Sequence, residues 1–256
     1  MLFRSHFSRT NRVLAVTLAN HFASLVIANS QATQTAFIEA GGRKEITTVV
    51  YNGFDINKYQ CPETEINRAR QQLGLNGVFV VGHFSRLSSW KGQHLLLEAL
   101  VHCPSDVIAI FVGDCLFGEQ DYVEHLHQLV RELKLEKRVK FLGFQSNIVP
   151  LMHACDLIAH TSTAPEPFGR VIIEAMLCRR PVVAAAAGGV VELIENGKTG
   201  WLFSPGNSQQ LAEVICNIKK QTSDVKRITD LSKIKASQNF RLDLINQQIS
   251  QLLSQM

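Results

Sequence analysis

No apolar run in this chain approaches the roughly 18 uncharged residues of a membrane-spanning helix. The opening stretch, MLFRSHFSRTNRVLAVTLANHFASLVIANS, lacks the small-residue cleavage site of a signal peptide, so a cytoplasmic address is expected. None of the six cysteines (Cys61, Cys103, Cys115, Cys155, Cys178, Cys216) belongs to a C-x-x-C pair, and they read as reduced core residues rather than metal ligands or disulfides. No G-x-G-x-x-G follows the first strand-like run of the main unit, where Gly82 stands by itself, and a dinucleotide-binding reading loses its main support. Like charges form no single block. With 26 Lys and Arg against 22 Asp and Glu the formal net charge is only +4, too little for nucleic acid binding. Two basic neighbourhoods, Arg4, Arg9 and Arg12, then Lys219, Lys220, Lys226, Arg227, Lys233 and Lys235, read as solvated helix faces. The alternative is weak attraction to an anionic membrane surface. Internal repeats and low-complexity linkers are lacking too.

What is there is a chain of 256 residues, 46% hydrophobic and 19% charged, able to bury a substantial core in one or two domains. Short apolar runs at Phe79–Phe84, Val107–Val112, Val139–Leu142, Leu157–His160 and Val182–Ala185 have strand length and turn residues at their ends. Helix-period segments alternate with them, at about 92–102, 121–133, 148–155 and 169–178. Such alternation predicts an α/β fold, a Rossmann-like parallel sheet flanked by helices on both faces, with ligands bound beyond the carboxyl ends of the strands. Before this unit come a helix to about Asn20, a strand-like run 24–28, a helix from Asn29-Ser30 to Ala40 and a strand at 46–51. These elements can hardly form a domain alone. After Gly206 the pattern predicts helices at 208–219, 225–236 and 242–253.

The stretch PEPFGRVIIEAMLCRRPVVAAAAGGVVELIENGKTGWLFSPG, from Pro165 to Gly206, carries the most chemistry. Glu166 sits in a Pro-bounded loop and Glu174 on the first turns of a helix, so both can face the loop-to-helix junction. A helix that starts at a glycine leaves backbone N–H groups to meet an anion, and an anion site with two flanking carboxylates suits a phosphorylated sugar. After the first strand, Arg86 and Lys91 lie five residues apart in the loop SRLSSWKG, where they can converge on one diphosphate; the alternative is an exposed loop with incidental charge. Gly113-Asp114 and Gly143-Phe144 end the second and third strands. Glycines there permit close approach to a flat ligand, with Phe144 against a base, or serve turn chemistry alone. His160, flanked by apolar residues, reads as a core histidine, and Asp156 as structural.

PEPFGRVIIEAM followed by PVVAAAAGGVVELIENGKTGWLF, with FSRLSSWKG upstream and VVYNGFD before that, is similar to the retaining glycosyltransferases of family 4, which have the GT-B fold. The stretch HTSTAPEPFGRVIIEAM most resembles bacterial, particularly cyanobacterial, members. The resemblance implies a C-terminal half of a GT-B fold, residues 54–238, as nucleotide-sugar-binding domain. It makes 1–53 a remnant of the N-terminal domain with the connection, and 239–256 a helix that packs back toward it. By the same resemblance Arg86 and Lys91 hold the diphosphate, Glu174 the ribose hydroxyls and Glu166 the donor sugar. The N–H groups of Phe168, Gly169 and Arg170 meet sugar hydroxyls and phosphate, Gly143 and Phe144 border the base, and Gly188 and Gly189 line the cleft.

The implied chemistry is metal-independent transfer of a sugar, with retention, from a UDP-, GDP- or ADP-sugar to a glycan, lipid or small-molecule acceptor. It needs no cofactor and belongs to polysaccharide or cell-envelope biosynthesis, in the cytoplasm or at the inner face of the membrane. The chain departs from the family at its N-terminus, where only the last helices and strands of the first domain are expected. The glycine-rich first loop and the histidine that the family places beside the donor sugar have no counterpart. Donor affinity is then expected without most of an acceptor site, and the region near Phe240-Arg241 is expected to lose packing surface. Either the chain is an active enzyme, read from a late start codon or completed by a separate N-terminal-domain chain, or it is a non-catalytic nucleotide-sugar-binding half.

Overall fold

In the computed structural model, residues 9–116 and 118–255 are described. Helix α1 (Arg9–Phe22), strand β1 (Val26–Ala28), helix α2 (Gln31–Glu39) and strand β2 (Thr47–Val49) open the chain, and β1 and β2 pair as a parallel two-stranded sheet. Arg4 lies outside the described residues, as do the side chains of Arg9 and Arg12. Ser30 caps α2, its Oγ accepting the N–H of Thr33 at 2.9 Å, which is why the helix starts there.

The main unit then runs α3 (Glu63–Gln72), β3 (Phe79–Phe84), α4 (Gln93–Val101), β4 (Val107–Val112), α5 (Gln120–Glu132), β5 (Val139–Phe141) and α6 (Val149–Ala154). It continues with β6 (Leu157–His160), α7 (Arg170–Leu177), β7 (Val182–Ala185), α8 (Val190–Leu193) and β8 (Trp201–Phe203). Helices α9 (Ser208–Lys220), α10 (Thr222–Asn239) and α11 (Leu242–Ser254) close the chain. The six strands form one parallel sheet in the order β5-β4-β3-β6-β7-β8.

Both faces of this sheet are buried, and period-two alternation divides it between two cores. In β4, Ile108, Ile110 and Val112 face one cluster with Ile172, Ile173 and Met176 of α7. Val107, Ala109 and Phe111 face the other, with Leu96, Leu97 and Leu100 of α4 and Ile215 of α9. Each such aliphatic side chain contributes about 1.5–3 kcal/mol by leaving water, so apolar runs without polar alternation were the right signal for these strands. Two elements carried no such signal. In α3 only Ala69 is buried, and β8 is three residues long inside a glycine-marked turn.

Strand order reverses between β3 and β6, and there the loops after both strands meet. The first segment joins the main unit through aromatic packing. Phe54 N–H donates to Phe240 O at 2.8 Å, Leu242 N–H donates to Phe54 O at 2.9 Å, and Tyr51, Phe54, Phe168 and Phe240 pack ring against ring at 5.5–6.4 Å. Residues 51–54 cover Phe240, which is 3% exposed, while Leu242, Leu244 and Leu253 of α11 stay exposed, as expected of a C-terminal helix that lacks part of its packing surface. Exposed apolar surface lies also on α1, at Val13, Leu14, Leu18 and Phe22. All six cysteines are free thiols, but only Cys103, Cys155 and Cys178 are buried; Cys61, Cys115 and Cys216 are half-buried, so the core reading holds for three of them. Asp156 accepts the N–H of Val80 at 2.8 Å and pairs with Arg70 at 3.4 Å, a structural role as expected. Among the late basic residues Lys219, Lys235 and Arg227 pair with Asp106, Glu195 and Asp224, which reduces that neighbourhood as a cationic surface.

Candidate functional site

The loop after β3 is built on two close backbone approaches. A Cβ on Gly113 (φ +135°) would stand 2.0 Å from Ser85 O, and one on Gly92 (φ +70°) 2.1 Å from Thr161 O, so glycine alone permits the loops after β3, β4 and β6 to touch. Beneath them His83 is fully buried, and burial, followed by the charges of His160 and Lys91, lowers its pKa to about 3. The neutral ring bonds through Nε2 to Thr161 Oγ1 at 2.9 Å, and that hydroxyl donates to Gly92 O at 2.8 Å. Buried Gln93 adds a second tie: its Nε2 donates to Ser85 Oγ and Arg86 O, both at 2.9 Å. The backbone that carries Arg86 and Lys91 is therefore fixed before any ligand arrives.

Three donors converge on one oxygen of Glu166: Lys91 Nζ at 2.6 Å, His160 Nε2 at 3.2 Å and Ser162 Oγ at 3.2 Å, all to Oε2. Burial pushes this carboxyl up, but the hydrogen bond and charge of His160, then Lys91, outweigh it and bring the pKa down to about 2. His160 Nδ1 is buried with no hydrogen-bond partner among the described residues. The expected core histidine is indeed buried, yet it also belongs to the site.

Glu174 has a different environment. Its Oε1 lies 3.5 Å from both Arg170 Nη2 and Tyr59 OH, and burial raises its pKa against the lowering by Arg170. Burial also raises the Tyr59 phenol, so it remains protonated and donates. The Arg170 guanidinium stacks over Phe54 at 4.6 Å from the ring centroid. Gly169, at φ +95°, starts α7, whose first N–H groups lack intrahelical acceptors and face the junction. Arg86 Nε stands 3.2 Å from Glu119 Oε2, an ion pair outside hydrogen-bond alignment.

Arg86, Lys91, Glu166, Phe168, Gly169, Arg170 and Glu174 line one cavity of about 920 Å³, open at the carboxyl ends of β3 and β6. Residues 65–234, well over half of the chain, match the family of glycosyl transferases group 1. The chain belongs to that family. It is 33% identical over 232 residues to spore coat protein SA of Bacillus subtilis (strain 168), covering 85% of this chain and 61% of the relative. It is 29% identical over 217 residues to a D-inositol 3-phosphate glycosyltransferase of Corynebacterium aurimucosum, covering 81% and 51%. The chain thus spans about half to six-tenths of the length of these curated relatives. Among solved structures, Anabaena Alr3699/HepE in complex with UDP-glucose superposes with a TM-score of 0.97 at 61% identity, over 98% of this chain and 69% of that one. Sucrose-phosphate synthase of Thermosynechococcus elongatus, at 24% identity and a TM-score of 0.88, shares the fold.

The remaining glycosyl transferase positions fall outside the cavity wall. Gly188 and Gly189 stand behind the Glu166 loop: Gly189 N–H donates to Glu166 O at 2.7 Å, and a Cβ on Gly188 would meet that oxygen at 2.3 Å. They support the loop rather than line the cleft, because their missing side chains admit its backbone. Gly143 O accepts the N–H of Gly113 at 2.9 Å at the same sheet edge, whereas Phe144 is 75% exposed. Neither residue is in the cavity wall. Sequence reasoning missed Glu119, Tyr59, Ser162, His83, Asn29 and Asn52. Asn29 and Asn52 reach the cavity from the first segment, and only the fold brings them there. Among the described residues no cluster of His, Cys, Asp or Glu is placed to hold a metal, and no helix is long and apolar enough to cross a membrane.

Proposed function

We propose that this chain binds a nucleotide sugar, specifically a UDP-sugar, in the cavity between β3 and β6. It serves a family 4, GT-B, metal-independent and cofactor-free transfer of the sugar, with retention, to a hydroxyl of a glycan, lipid or small-molecule acceptor. The observation that carries this reading is the meeting of Arg86 and Lys91 from the loop after β3, Glu166 from the loop after β6 and Glu174 from α7 in one cavity where the strand order reverses. The UDP-glucose bound by Anabaena Alr3699/HepE supports uracil as the base.

In this reading Arg86 and Lys91 hold the diphosphate with the start of α7, Glu174 takes the ribose hydroxyls, and Glu166 a hydroxyl of the sugar. Lys91 is paired with Glu166 before the donor arrives. A diphosphate competes for the ammonium, while sugar hydroxyls supply new donors to the carboxylate. As the bond from C1 to the diphosphate oxygen breaks, charge grows on oxygens facing Arg86, Lys91 and the α7 N–H groups. The acceptor hydroxyl bonds to C1 on the same face, and its proton passes to the leaving phosphate. Preorganised donors of this kind are each worth about 3 kcal/mol at the transition state. The setting is polysaccharide or cell-envelope assembly, cytoplasmic, with peripheral contact at the inner face of the membrane.

Calorimetry tests the donor site. The unaltered chain binds UDP; Arg86→Ala and Glu174→Ala each weaken it about tenfold or more, as loss of a hydrogen bond to a charged group does. Glu166→Ala leaves UDP affinity nearly unchanged. Absence of UDP binding by the unaltered chain would sink the reading.

A second reading rests on the exposed apolar face of α1 and on the length shared with relatives. Here the chain is a partner-dependent or non-catalytic nucleotide-sugar-binding half, and further N-terminal-domain polypeptide, in the same or a separate chain, covers α1 and completes the acceptor site.

A further inference from the structure

The first segment does more than face the cavity. Ser30, the residue that caps α2, donates its hydroxyl to Pro167 O at 2.5 Å, and Thr33 Oγ1 stands 3.3 Å from the same carbonyl. Pro167 directly follows Glu166. In the two residues that follow Ser30, the N–H groups of Gln31 and Ala32 donate to the two carboxylate oxygens of Glu192, at 2.9 and 2.8 Å, and Tyr51 OH donates to Glu192 Oε2 at 3.1 Å. A carboxylate on the first N–H groups of a helix is charge-assisted and dipole-favoured. Glu192 belongs to α8, which starts directly after Gly189, and Gly189 N–H holds Glu166 O at 2.7 Å.

The Glu166-Pro167 backbone is therefore gripped from two sides. On one side Gly188 and Gly189 press backbone against backbone, with no side chain to yield. On the other Ser30 hangs Pro167 from the start of α2, and Glu192 ties that helix start back to α8. The circuit closes on itself: α2, Pro167, Glu166, Gly189, Glu192, α2. Its one polar end inside the cavity is the Glu166 carboxylate.

We propose that Ser30 and Glu192 are positioning residues for Glu166, so that the segment before residue 54 is part of the donor-sugar subsite and not only of an acceptor face. The inference rests on the donor-site reading above. It assigns the circuit to the sugar end of the ligand, since the side chains of Arg86 and Glu174 meet Glu119 and Tyr59 and the backbone beside Lys91 is held by the His83–Thr161 tie, although the Lys91 ammonium itself meets Glu166.

The experiment compares UDP with UDP-glucose by calorimetry on the 256-residue chain, together with its melting temperature. Ser30→Ala and Glu192→Gln are expected to weaken UDP-glucose about five- to tenfold while UDP changes less than twofold. Ser30→Thr, which restores the hydroxyl, regains UDP-glucose affinity, and Tyr51→Phe, a milder change on the Glu192 side, gives the same split at smaller size. A merely structural role, such as loss of the α2 cap, lowers the melting temperature without separating the two ligands; equal losses for both, or none, overturn the proposal. If Ser30→Ala or Glu192→Gln fails to fold, Tyr51→Phe decides by the same split between UDP-glucose and UDP. An unaltered chain that binds neither ligand overturns the donor-site reading itself. One that binds UDP-glucose with no split among the variants overturns this inference alone.

Discussion

Glu166 is held charged by three donors on one oxygen, which bring its pKa in the folded protein down from the ordinary 4.5 to about 2. A carboxyl with a depressed folded pKa adds stability that is fully present above the unfolded pKa and lost as pH falls through the folded one. The window here runs from about pH 4.5 down to about 2. Glu166→Gln is expected to lower stability at pH 7 by on the order of 2–3 kcal/mol, with the gap from the unaltered protein closing as the pH drops through that window. Denaturant melts at pH 7, 4 and 3 measure it, and a gap that stays constant with pH contradicts the assignment. Glu174 works in the opposite direction: burial raises its pKa, so its two neighbours Arg170 and Tyr59 only partly favour the charged form. The two glutamates of one motif thus differ in readiness to ionise, which nothing in their spacing foretold.

Among the elements, β3 and β6 do most to shape the site, because their loops are locked at Gly92. Gly92→Ala places a Cβ 2.1 Å from Thr161 O at φ +70°, where an L side chain is already strained. The expected cost is more than about 2 kcal/mol, read from thermal or denaturant unfolding, and a change below 0.5 kcal/mol would show that the loops can part. The main strands were legible because they are buried on both faces and consist of unbroken aliphatic runs, as in VIAIFV, and the Arg-Lys loop and the glutamates were legible because they follow those strands. Glu119 and Tyr59 were not, since Glu119 reaches the cavity from the start of α5 and Tyr59 meets Glu174 from a short 3₁₀ turn at Ile56–Tyr59, elements with no motif of their own. His160 was half legible: apolar neighbours signalled burial, but its bond to Glu166 depends on a loop that turns back over β6. The glycine pair packs against the Glu166 loop and not in the cavity wall for a related reason. A sequence shows where backbone can approach closely, and only the fold shows which backbone takes that place.

At the scale of the molecule, one parallel sheet is covered on both faces while the two-stranded sheet and α1 leave an apolar stripe open. Leu14 and Phe22, the latter 82% exposed, lie two helical turns apart on α1 with Leu18 between them. Leu14→Lys with Phe22→Lys is expected to reduce self-association in light scattering after size exclusion and to shift stability by no more than about 0.5 kcal/mol, with UDP affinity unchanged. Equal scattering before and after the change would mean that the stripe makes no contacts in solution. The same stripe is where further polypeptide of the first domain would dock in the partner-dependent reading.

The wall of the cavity also contains Trp90, with the Lys91 ammonium 4.0 Å above its ring. The chain has only two tryptophans, and the other, Trp201, is in β8 at the far edge of the sheet. A cation over an indole alters the decay of its excited state, so any anion that draws Lys91 aside also changes the light this protein emits. The lysine that neutralises the diphosphate in the proposed site therefore sits on an intrinsic optical reporter of that site's occupancy.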